Sequence, residues 1–326
     1  MTSRYTPRLR QQGVALITIL LVVAIATVLA TSMMTDQNIR VHRAINHFDQ
    51  EQTRQYALGG EELARQILHE DFVEEPGVQH TGQVWASNDL EFEFREGTVE
   101  LKIEDLQGKL NVNTLASTGD NVQHARTRFI TMMRQLGIDE ANLMRLEDWL
   151  DQDQSARQLG AEDFDYLALA PPYRTGSGIM VDKSEIRLLL DLDQDTYETL
   201  APWVTALPDT ATRINVNTAP PVVLQALAAD LTLDVAQSMA DRRDEQDGFQ
   251  SVNEFLQMPE MSGVPDEGLG VQSAFFQVNV RAHYRDRFAY LTSIIQRDQA
   301  SGNMRVIYRN ISRKVLRSQV QEQDSG

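Results

Sequence analysis

Hydrophobic residues near the start of the chain form one long run. From Val14 to Met34 the sequence contains no charged residue. As a helix rising about 1.5 Å per residue, this run would extend roughly 31 Å, the thickness of one hydrocarbon core. The run therefore predicts one membrane-spanning helix.

Apolar residues continue beyond this run at roughly helical spacing, but they now lie among charged residues. We expect one long helix whose N-terminal part is apolar and whose C-terminal part is amphipathic. The apolar stripe of the amphipathic part would be covered either by partner helices or by the chain's own sheet. Gly59 and Gly60 weaken this helix, and Glu75-Pro76-Gly77 predicts its end. The stripe consists of Ile39, Ile45, Phe48, Tyr56, Leu63 and Ile67.

Alternation of apolar and polar residues predicts strands in two distant parts of the chain. Residues 92–103 alternate on both sides of a turn at Glu96-Gly97, which is typical of a β-hairpin. Residues 276–308 contain three alternating segments, separated at Arg285-Asp286 and Ser301-Gly302, which predicts a three-stranded meander. A long helix packed on one antiparallel sheet would place an insertion between these two strand regions.

The residues between the two strand regions have helical spacing, so the insertion, from about Asn111 to Gly270, is predicted to be α-helical. The sequence from Lys109 to Thr114 recurs in similar form from Arg213 to Thr218, and both copies can cap a helix through Asn or Thr. The apolar positions lie in the segments 129–136, 143–150, 186–190, 222–227 and 235–239.

Composition narrows the function classes. The 326 residues exceed one compact core, so we expect an anchor and about two globular units. Cysteine is absent, which excludes disulfides, cysteine-ligated zinc and thiol nucleophiles. The net charge of -17 makes nucleic acid a poor partner. Arg4, Arg8 and Arg10 precede the apolar run, so the positive-inside rule predicts a cytoplasmic start and a bulk outside the membrane, which in a Gram-negative cell is the periplasm.

The boundary between the basic segment and the apolar run carries a specific pattern. The run is too long for a cleaved secretory signal, while a plain uncleaved anchor fits it equally well. The sequence from Gln11 to Thr18 resembles a type IV prepilin leader, with Gly13 at the boundary. That resemblance implies cleavage after Gly13 by a prepilin peptidase and methylation of the new amine on Val14.

One departure from the general prepilin pattern points to a particular family. Most pilins and pseudopilins have Glu at the fifth residue after cleavage, where this chain has Thr18. With its long helix, divided sheet and helical insertion, the chain resembles the minor pseudopilin K family of type II secretion systems. In a fibre, the buried carboxylate of that Glu would pair with the terminal amine of the adjoining subunit nearer the tip. A subunit at the tip has no such neighbour, so the absence of the Glu fits the tip position.

The resemblance implies an α+β, pilin-like fold: a long N-terminal helix packed on an antiparallel sheet, with a large inserted α-helical domain. The implied function is structural, at the tip of the pseudopilus that exports folded proteins from the periplasm. The implied partners are minor pseudopilins I and J, other pseudopilins, the inner-membrane assembly platform and the prepilin peptidase. The predicted limits are a leader at 1–13, a membrane and assembly helix at 14–71, sheet residues at 72–110, the insertion at 111–270, C-terminal strands at 271–318 and a tail at 319–326.

An acidic stretch inside the insertion is the candidate metal site. Counted from Asp151, side-chain oxygens fall at loop positions 1, 3 and 5, with Glu162 at position 12, as in an EF-hand, but Ala156 replaces the glycine at position 6. A solvated acidic loop with capping aspartates is the alternative, and a different loop geometry is expected. The resemblance implies structural Ca²⁺. The predicted ligands are Asp151, Asp153 and Glu162, followed by Asp148 and Asp163.

Two other classes of function remain as alternatives. The sequence from Ile214 to Ala219 before Pro220-Pro221 also resembles the opening of a helix-hairpin-helix DNA-binding module. Such a module needs a glycine-containing hairpin whose backbone amides face phosphate, but residues 230–234 contain no glycine and add negative charge. The six histidines show no metal-ligand spacing, and no nucleophile elbow or phosphate loop occurs. We therefore predict no catalytic residue, no organic cofactor and no nucleic acid. A plain anchored periplasmic protein is the remaining alternative.

Overall fold

The computed structural model describes residues 12–88 and 90–312, and their fold is the expected α+β arrangement. A long helix packs on a five-stranded antiparallel sheet. Along the chain, the other helices come between the second and third strands of that sheet, although these two strands are neighbours in space. The helices are α1 (Gln12–Glu74), α2 (Asp120–Gln135), α3 (Ala141–Leu150), α4 (Asp163–Leu167), α5 (Gln194–Leu200), α6 (Pro221–Gln225), α7 (Leu233–Glu245) and α8 (Val252–Leu256). The strands are β1 (Leu90–Phe94), β2 (Gly97–Asp105), β3 (Leu110–Asn111), β4 (Val204–Thr205), β5 (Ile214–Asn215), β6 (Leu269–Gly270), β7 (Phe275–Tyr284), β8 (Arg287–Arg297) and β9 (Met304–Ser312).

Helix α1 has two parts with different surroundings. Residues 15–48 are exposed along their whole length, and of the described residues only α1 is long and apolar enough to cross a membrane. From Asp49 onward one face of the helix is covered by the sheet, where Ala57, Ala64 and Leu68 are completely buried. The upper part of the apolar stripe therefore packs on the chain's own sheet, while its lower part, including Phe48, stays exposed.

The glycine pair in α1 does not break the helix, which runs through both residues. A Cβ atom at Gly60 would lie 2.6 Å from Val280 Cγ1 and 2.8 Å from Val99 Cγ1, whereas a Cβ at Gly59 would have no neighbour within 4 Å. At Gly60, α1 thus packs directly against the side chains of the sheet. The sequence marked a weak point, and the structure shows a close contact between helix and sheet there.

Substitution of these two neighbouring glycines should therefore have opposite effects on stability. Gly60→Ala forces a methyl group into the packed contact with Val280 and should lower the free energy of unfolding by about 1 kcal/mol or more. Gly59→Ala gains helix propensity at an exposed site and should raise it by about 0.5 to 1 kcal/mol. Urea unfolding of the two variants measures both effects, and a stabilising Gly60→Ala would contradict the close approach.

The central sheet has the strand order β1-β2-β7-β8-β9, with every neighbouring pair antiparallel. The hairpin predicted from residues 92–103 is confirmed as β1 and β2, and the predicted meander is confirmed as β7, β8 and β9. Strands β2 and β7 pair from Gly97 with Tyr284 to Asp105 with Phe276. The chain therefore leaves the sheet and returns to it through two adjacent strands.

The inserted region has its own hydrophobic core, from Leu110 to Leu269. Two short parallel strand pairs, β3 with β4 and β5 with β6, divide it into two units. Each unit opens with one copy of the repeated sequence. Because none of these observations tests the domain limits given above, those limits stay a prediction.

The repeated asparagines connect distant chain segments in both units. Asn113 donates to the carbonyl oxygens of Met180 and Leu207, and Asn217 exchanges two hydrogen bonds with the backbone of Phe249. In the first unit Asn111 caps a short 3-10 helix, Val112–Ala116, as expected. In the second unit the Asn215 side chain makes the same contact with the backbone N–H of Asn217, but the next helix, α6, starts later, with Pro221 in its first turn.

One predicted α-helix has a different form. The first three residues of the apolar segment 186–190 lie in a 3-10 helix, Lys183–Leu188, which Asp182 caps by accepting from the backbone N–H of Ser184. The chain turns directly afterward at Asp191, which has a φ of 54°. Too few residues remain before this turn for an α-helix of ordinary length.

A buried polar contact joins the sheet to the inserted region. Asp105, the last residue of β2, accepts hydrogen bonds from Asn215 Nδ2 at 3.0 Å, Thr218 Oγ1 at 2.5 Å and Ser273 Oγ at 2.5 Å. Burial raises the pKa of the Asp105 carboxyl, and these donors partly offset that rise. The end of β2, the second copy of the repeat and the segment before β7 are thereby held together.

Candidate metal centre

The carboxyl end of α3 brings acidic side chains into the interior. Glu147 and Asp148 lie in its last turn and Asp151 is its C-cap, while Trp149 and Leu150 anchor this turn in the core. Asp148 is completely buried. A helix C-terminus carries partial negative charge, so carboxylates at this position are unfavourable without a nearby cation.

Arg157 supplies one such cation from the loop that follows α3. Its Nη1 atom donates to Asp148 Oδ1 and to Asp151 Oδ2, both at 2.5 Å, and its backbone N–H donates to Asp148 Oδ2 at 3.1 Å. Burial would lower the pKa of Arg157, but the hydrogen bonds to Asp151 and Asp148 outweigh it, and the net shift is upward. The guanidinium stays charged and neutralises part of the cluster.

Glu162 completes the cluster from the start of α4. Only 3% of this residue is exposed, and neither carboxylate oxygen has a hydrogen-bond partner among the described residues. Burial, together with the charges of Asp148, Asp151, Asp153 and Asp163, raises the pKa of Glu162 to about 7. A buried carboxylate without donors is costly in its charged form, so this site needs a proton or a cation.

Asp148, Asp151 and Glu162 each offer an oxygen atom within 4.8 Å of those of the other two. The Oδ1 atom of Asp151 also lacks a partner among the described residues, as do both Glu162 oxygens. A Cβ at Gly160 would overlap Asp148 Oδ2, so only glycine lets the loop approach this closely. Oxygen donors from several carboxylates suit a hard cation such as Ca²⁺, and the unpaired buried oxygens fit such an ion.

The structure places two of the predicted ligands outside this cluster. Asp153 is exposed, and its Oδ1 accepts from the backbone N–H of Ser155. The Oδ1 atom of Asp163 accepts hydrogen bonds from the backbone N–H and the hydroxyl of Thr175, and the Oδ2 atom of Asp163 accepts from Arg174 Nη1. Both aspartates act on Glu162 through charge. The loop geometry therefore differs from that of an EF-hand.

Three residues of the site were not among the sequence-predicted ligands. Arg157 neutralises the cluster, Gly160 allows the close approach, and Glu147 lies 3.2 Å from Arg126 Nε and 3.5 Å from Arg157 Nε. A single arginine within a strongly acidic stretch was the available signal for Arg157. Nothing in the spacing indicated that Gly160 faces Asp148, because that contact depends on how the loop returns to α3.

The predicted processing site lies at the edge of the described residues. Residues 1–11 of the predicted leader fall outside them, and α1 already includes Gly13 and Val14. Cleavage after Gly13 therefore stays a prediction.

The segment that resembled the opening of a DNA-binding module, Ile214 to Ala219, is followed by a helical pair, α6 and α7, joined by residues 226–232. This connection contains Asp230 and no glycine. Within the preceding repeat, Asn215 and Asn217 are completely buried and bonded to other parts of the chain. The motif thus has a structural use in holding the second unit together.

Comparisons with known proteins identify the family. Two family models, both described as type II secretion system (T2SS), protein K, match residues 108–209 and 214–279. The type II secretion system protein K of Pseudomonas aeruginosa is 35% identical over an aligned length of 317 residues, and the alignment covers 92% of this chain and 93% of that protein. The chain belongs to the type II secretion system protein K family. Protein K of Klebsiella pneumoniae is 35% identical over 77% of this chain and 80% of its own length.

A solved structure of protein K has the same fold. The crystal structure of the GspK-GspI-GspJ complex from the enterotoxigenic Escherichia coli type 2 secretion system matches with a TM-score of 0.73 at 25% identity. The match covers 83% of this chain and 100% of that chain. The chain is therefore a minor pseudopilin of type II secretion, a family of structural components of protein transport. Its apolar N-terminal helix is compatible with a single-pass membrane anchor.

Proposed function

We propose that this minor pseudopilin occupies the tip of the pseudopilus and acts there as a structural subunit, without catalysis, in the export of folded proteins from the periplasm. The likeness to protein K in the GspK-GspI-GspJ complex carries this proposal. The large region inserted between β2 and β7 supports a terminal position, because a domain of this width would obstruct subunits packed above it.

The partners follow from the same likeness. The solved protein K is in a complex with GspI and GspJ, so minor pseudopilins I and J are the proposed direct partners of this chain. The exposed apolar residues of the lower part of α1, including Ile39, Ile45 and Phe48, provide a surface for other pseudopilin helices. The assembly platform and the prepilin peptidase are proposed as the inner-membrane partners.

The proposed location is the inner membrane, with a single span and the bulk of the chain in the periplasm. Arginines before the apolar run and the acid at Asp36 after it support this orientation. We also propose cleavage after Gly13 and methylation of Val14, since the basic leader ends in glycine immediately before the apolar run.

The proposed ligand of the inserted region is a structural Ca²⁺ ion held by Asp148, Asp151 and Glu162. The proximity of their oxygens and the unpaired state of both Glu162 oxygens support this assignment. A bound calcium ion would neutralise charge that Arg157 balances only in part. It would also tie the end of α3 to the start of α4, which stabilises the intervening loop.

Processing and assembly test the proposed function together. Full-length protein extracted from membranes should have the mass of a chain that starts at N-methylated Val14, and it should copurify with pseudopilins I and J. Deletion of Gly13 should leave the leader attached and abolish export. Intact-mass measurement and a secretion assay give both results.

Gly59→Ala is the matched control for this test, because it removes a glycine from the same helix at a position with no close neighbour. This variant should be processed and exported normally. An uncut wild-type chain would point to a plain anchored protein. Normal export by the variant that lacks Gly13 would contradict the proposal that the processed helix is required for assembly with other pseudopilins.

A further inference from the structure

A cavity of about 470 Å³ lies in the inserted region, and none of the residues that line it belongs to the metal centre. It is bounded by α2, by the start of β3 and β5, and by the segment that leads into β6. It therefore lies between the two units of the inserted region. Cavities of a few hundred Å³ with mixed apolar and polar walls are typical of sites for small ligands.

The wall of this cavity includes a buried arginine without a contacting carboxylate. Only 6% of Arg128 is exposed, and its Nη2 atom donates to the backbone oxygen of Glu267 at 2.7 Å. Among the side chains that the structure describes, which leave out residues 12–14 and 120, Arg128 forms no other hydrogen bond and no ion pair. Burial lowers its pKa to about 10, partly offset by the charge of Glu267, so it remains charged at neutral pH.

The acidic residues of the wall do not neutralise Arg128 by contact. Asp266 and Glu267 are both exposed, and the Glu267 carboxylate lies 3.9 Å from His124 Nε2. Exposed carboxylates are screened by water, and a buried guanidinium gains most from an anion that contacts it directly. The guanidinium of Arg128 therefore has the capacity for a charge-assisted pair that the described chain does not provide.

The remainder of the wall limits the kind of anion. Lys109 is already paired with Glu104 at 2.7 Å, while Arg213 is exposed and adds a second positive charge to the cavity. Apolar side chains of Phe129, Ile214 and Leu269 line the wall as well. These three residues are only 1 to 7% exposed, so they form a buried apolar wall that an organic acid can contact and a hydrated inorganic anion cannot.

We propose that this cavity binds an organic carboxylate, with the carboxylate paired to Arg128 and an apolar body against Phe129, Ile214 and Leu269. Arginine suits this role because its planar donors match a carboxylate in two parallel hydrogen bonds. The carboxylate can come from a small organic acid or from the C-terminus of a peptide. The proposal is independent of the metal centre and of the position of the chain in the fibre.

Calorimetric titration of the full-length, detergent-solubilised chain tests this proposal with two acids, 3-phenylpropionate and N-acetyl-alanyl-leucine, and with their neutral amides. Each acid that binds should do so at least about tenfold more tightly than its amide, because only the acid forms the charge-assisted pair. Binding of both acids shows that small organic acids suffice. Binding of the dipeptide alone identifies a peptide C-terminus as the source.

Arg128→Met keeps an apolar side chain and should reduce the affinity for the acid to that for the amide. Arg134→Met is the matched control, because Arg134 lies on the same helix but is exposed and paired with Glu140 at 2.8 Å. Equal binding of acid and amide to the wild-type chain, or tighter binding of inorganic phosphate than of either acid, would overturn the proposal. The comparison on the wild-type chain holds even where Arg128→Met fails to fold.

Discussion

Removal of calcium from the full-length chain is expected to lower the midpoint of its thermal unfolding. An ion that binds only the folded state stabilises it by about 2.7 kcal/mol when its free concentration is about 100 times its Kd. The effect should be confined to the inserted region, because the three proposed ligands lie at the end of α3, in the following loop and at the start of α4. Differential scanning calorimetry in Ca²⁺ and in excess chelator measures it.

Glu162→Gln gives the sharpest form of this prediction. In chelator the variant should be more stable than the wild-type chain, since an amide removes a buried charge whose oxygens have no donors and can itself donate to Asp148 or Asp151. In Ca²⁺ the order should reverse, because the variant loses a charged ligand. A residue with a purely structural role would not make the variant more stable than the wild-type chain in chelator and less stable in Ca²⁺.

The pH dependence of the calcium-free chain adds an independent check. The folded chain holds the Glu162 proton up to a pH of about 7 because its pKa is raised, whereas the unfolded chain loses it near 4.5. Between these values the folded state binds more protons, so stability should fall as pH rises. Calcium needs the charged carboxylate, so its affinity should increase over the same range.

Asp153→Asn is the control for the metal centre. Asp153 was predicted as a ligand from its spacing, yet its side chain is exposed and bonded to the backbone of its own loop. This variant should keep most of the stabilisation by calcium. Loss of that stabilisation would place Asp153 in the ligand set, and equal midpoints of the wild-type chain in Ca²⁺ and in chelator would rule out the metal proposal.

Arg297→Met is expected to lower the free energy of unfolding by about 3 to 5 kcal/mol. Arg297 ends β8, its side chain is 1% exposed, and its Nη1 atom lies 3.2 Å from Asp71 Oδ2 near the end of α1. It also donates to the backbone oxygens of Leu68 and Ser273 and lies over the ring of Phe276. Its loss leaves the Asp71 carboxylate buried without a cation, and urea unfolding measures the cost.

Two comparisons distinguish this effect from a general loss of arginine. Arg281→Met removes an exposed ion pair with Glu100 on the same sheet, which should cost at most about 1 kcal/mol. Adding Asp71→Asn to Arg297→Met removes the unpaired charge and should restore part of the stability. A cost no larger than that of Arg281→Met would mean that the buried pair contributes little.

The parts of the fold that follow local periodicity could be predicted from the sequence. Alternation placed the strands on both sides of Gly97, and helical spacing placed α2 and α3. The segment after Lys183 was predicted to be α-helical but forms a 3-10 helix, because a short apolar run fits either kind of helix. The pairing of β2 with β7 required the inference that two distant strand regions share one sheet, which periodicity alone does not supply.

The candidate site was predictable in composition but only partly in geometry. The sequence located the acidic stretch and three residues of the cluster, because carboxylates this dense need a cation. Counting along an EF-hand loop favoured Asp153 over Asp148, yet it is Asp148, from the preceding helix turn, whose carboxylate lies close to those of Asp151 and Glu162. The return of the loop through Arg157 and Gly160 decides which oxygens meet, and that path depends on packing against α3.

The adjacency of β2 and β7 has a mechanical consequence. The inserted region is connected to the C-terminal end of β2 and the N-terminal end of β7, which lie side by side. A force that acts on the inserted region along the strand direction is therefore transmitted to the sheet through both strands at this end. The hydrogen bonds of an antiparallel ladder lie across the strands, so such a pull loads the bonds to β1 and β8 in shear, many at once. Rupture then requires simultaneous loss of a whole row of bonds, which makes this connection resistant to tension along the strands.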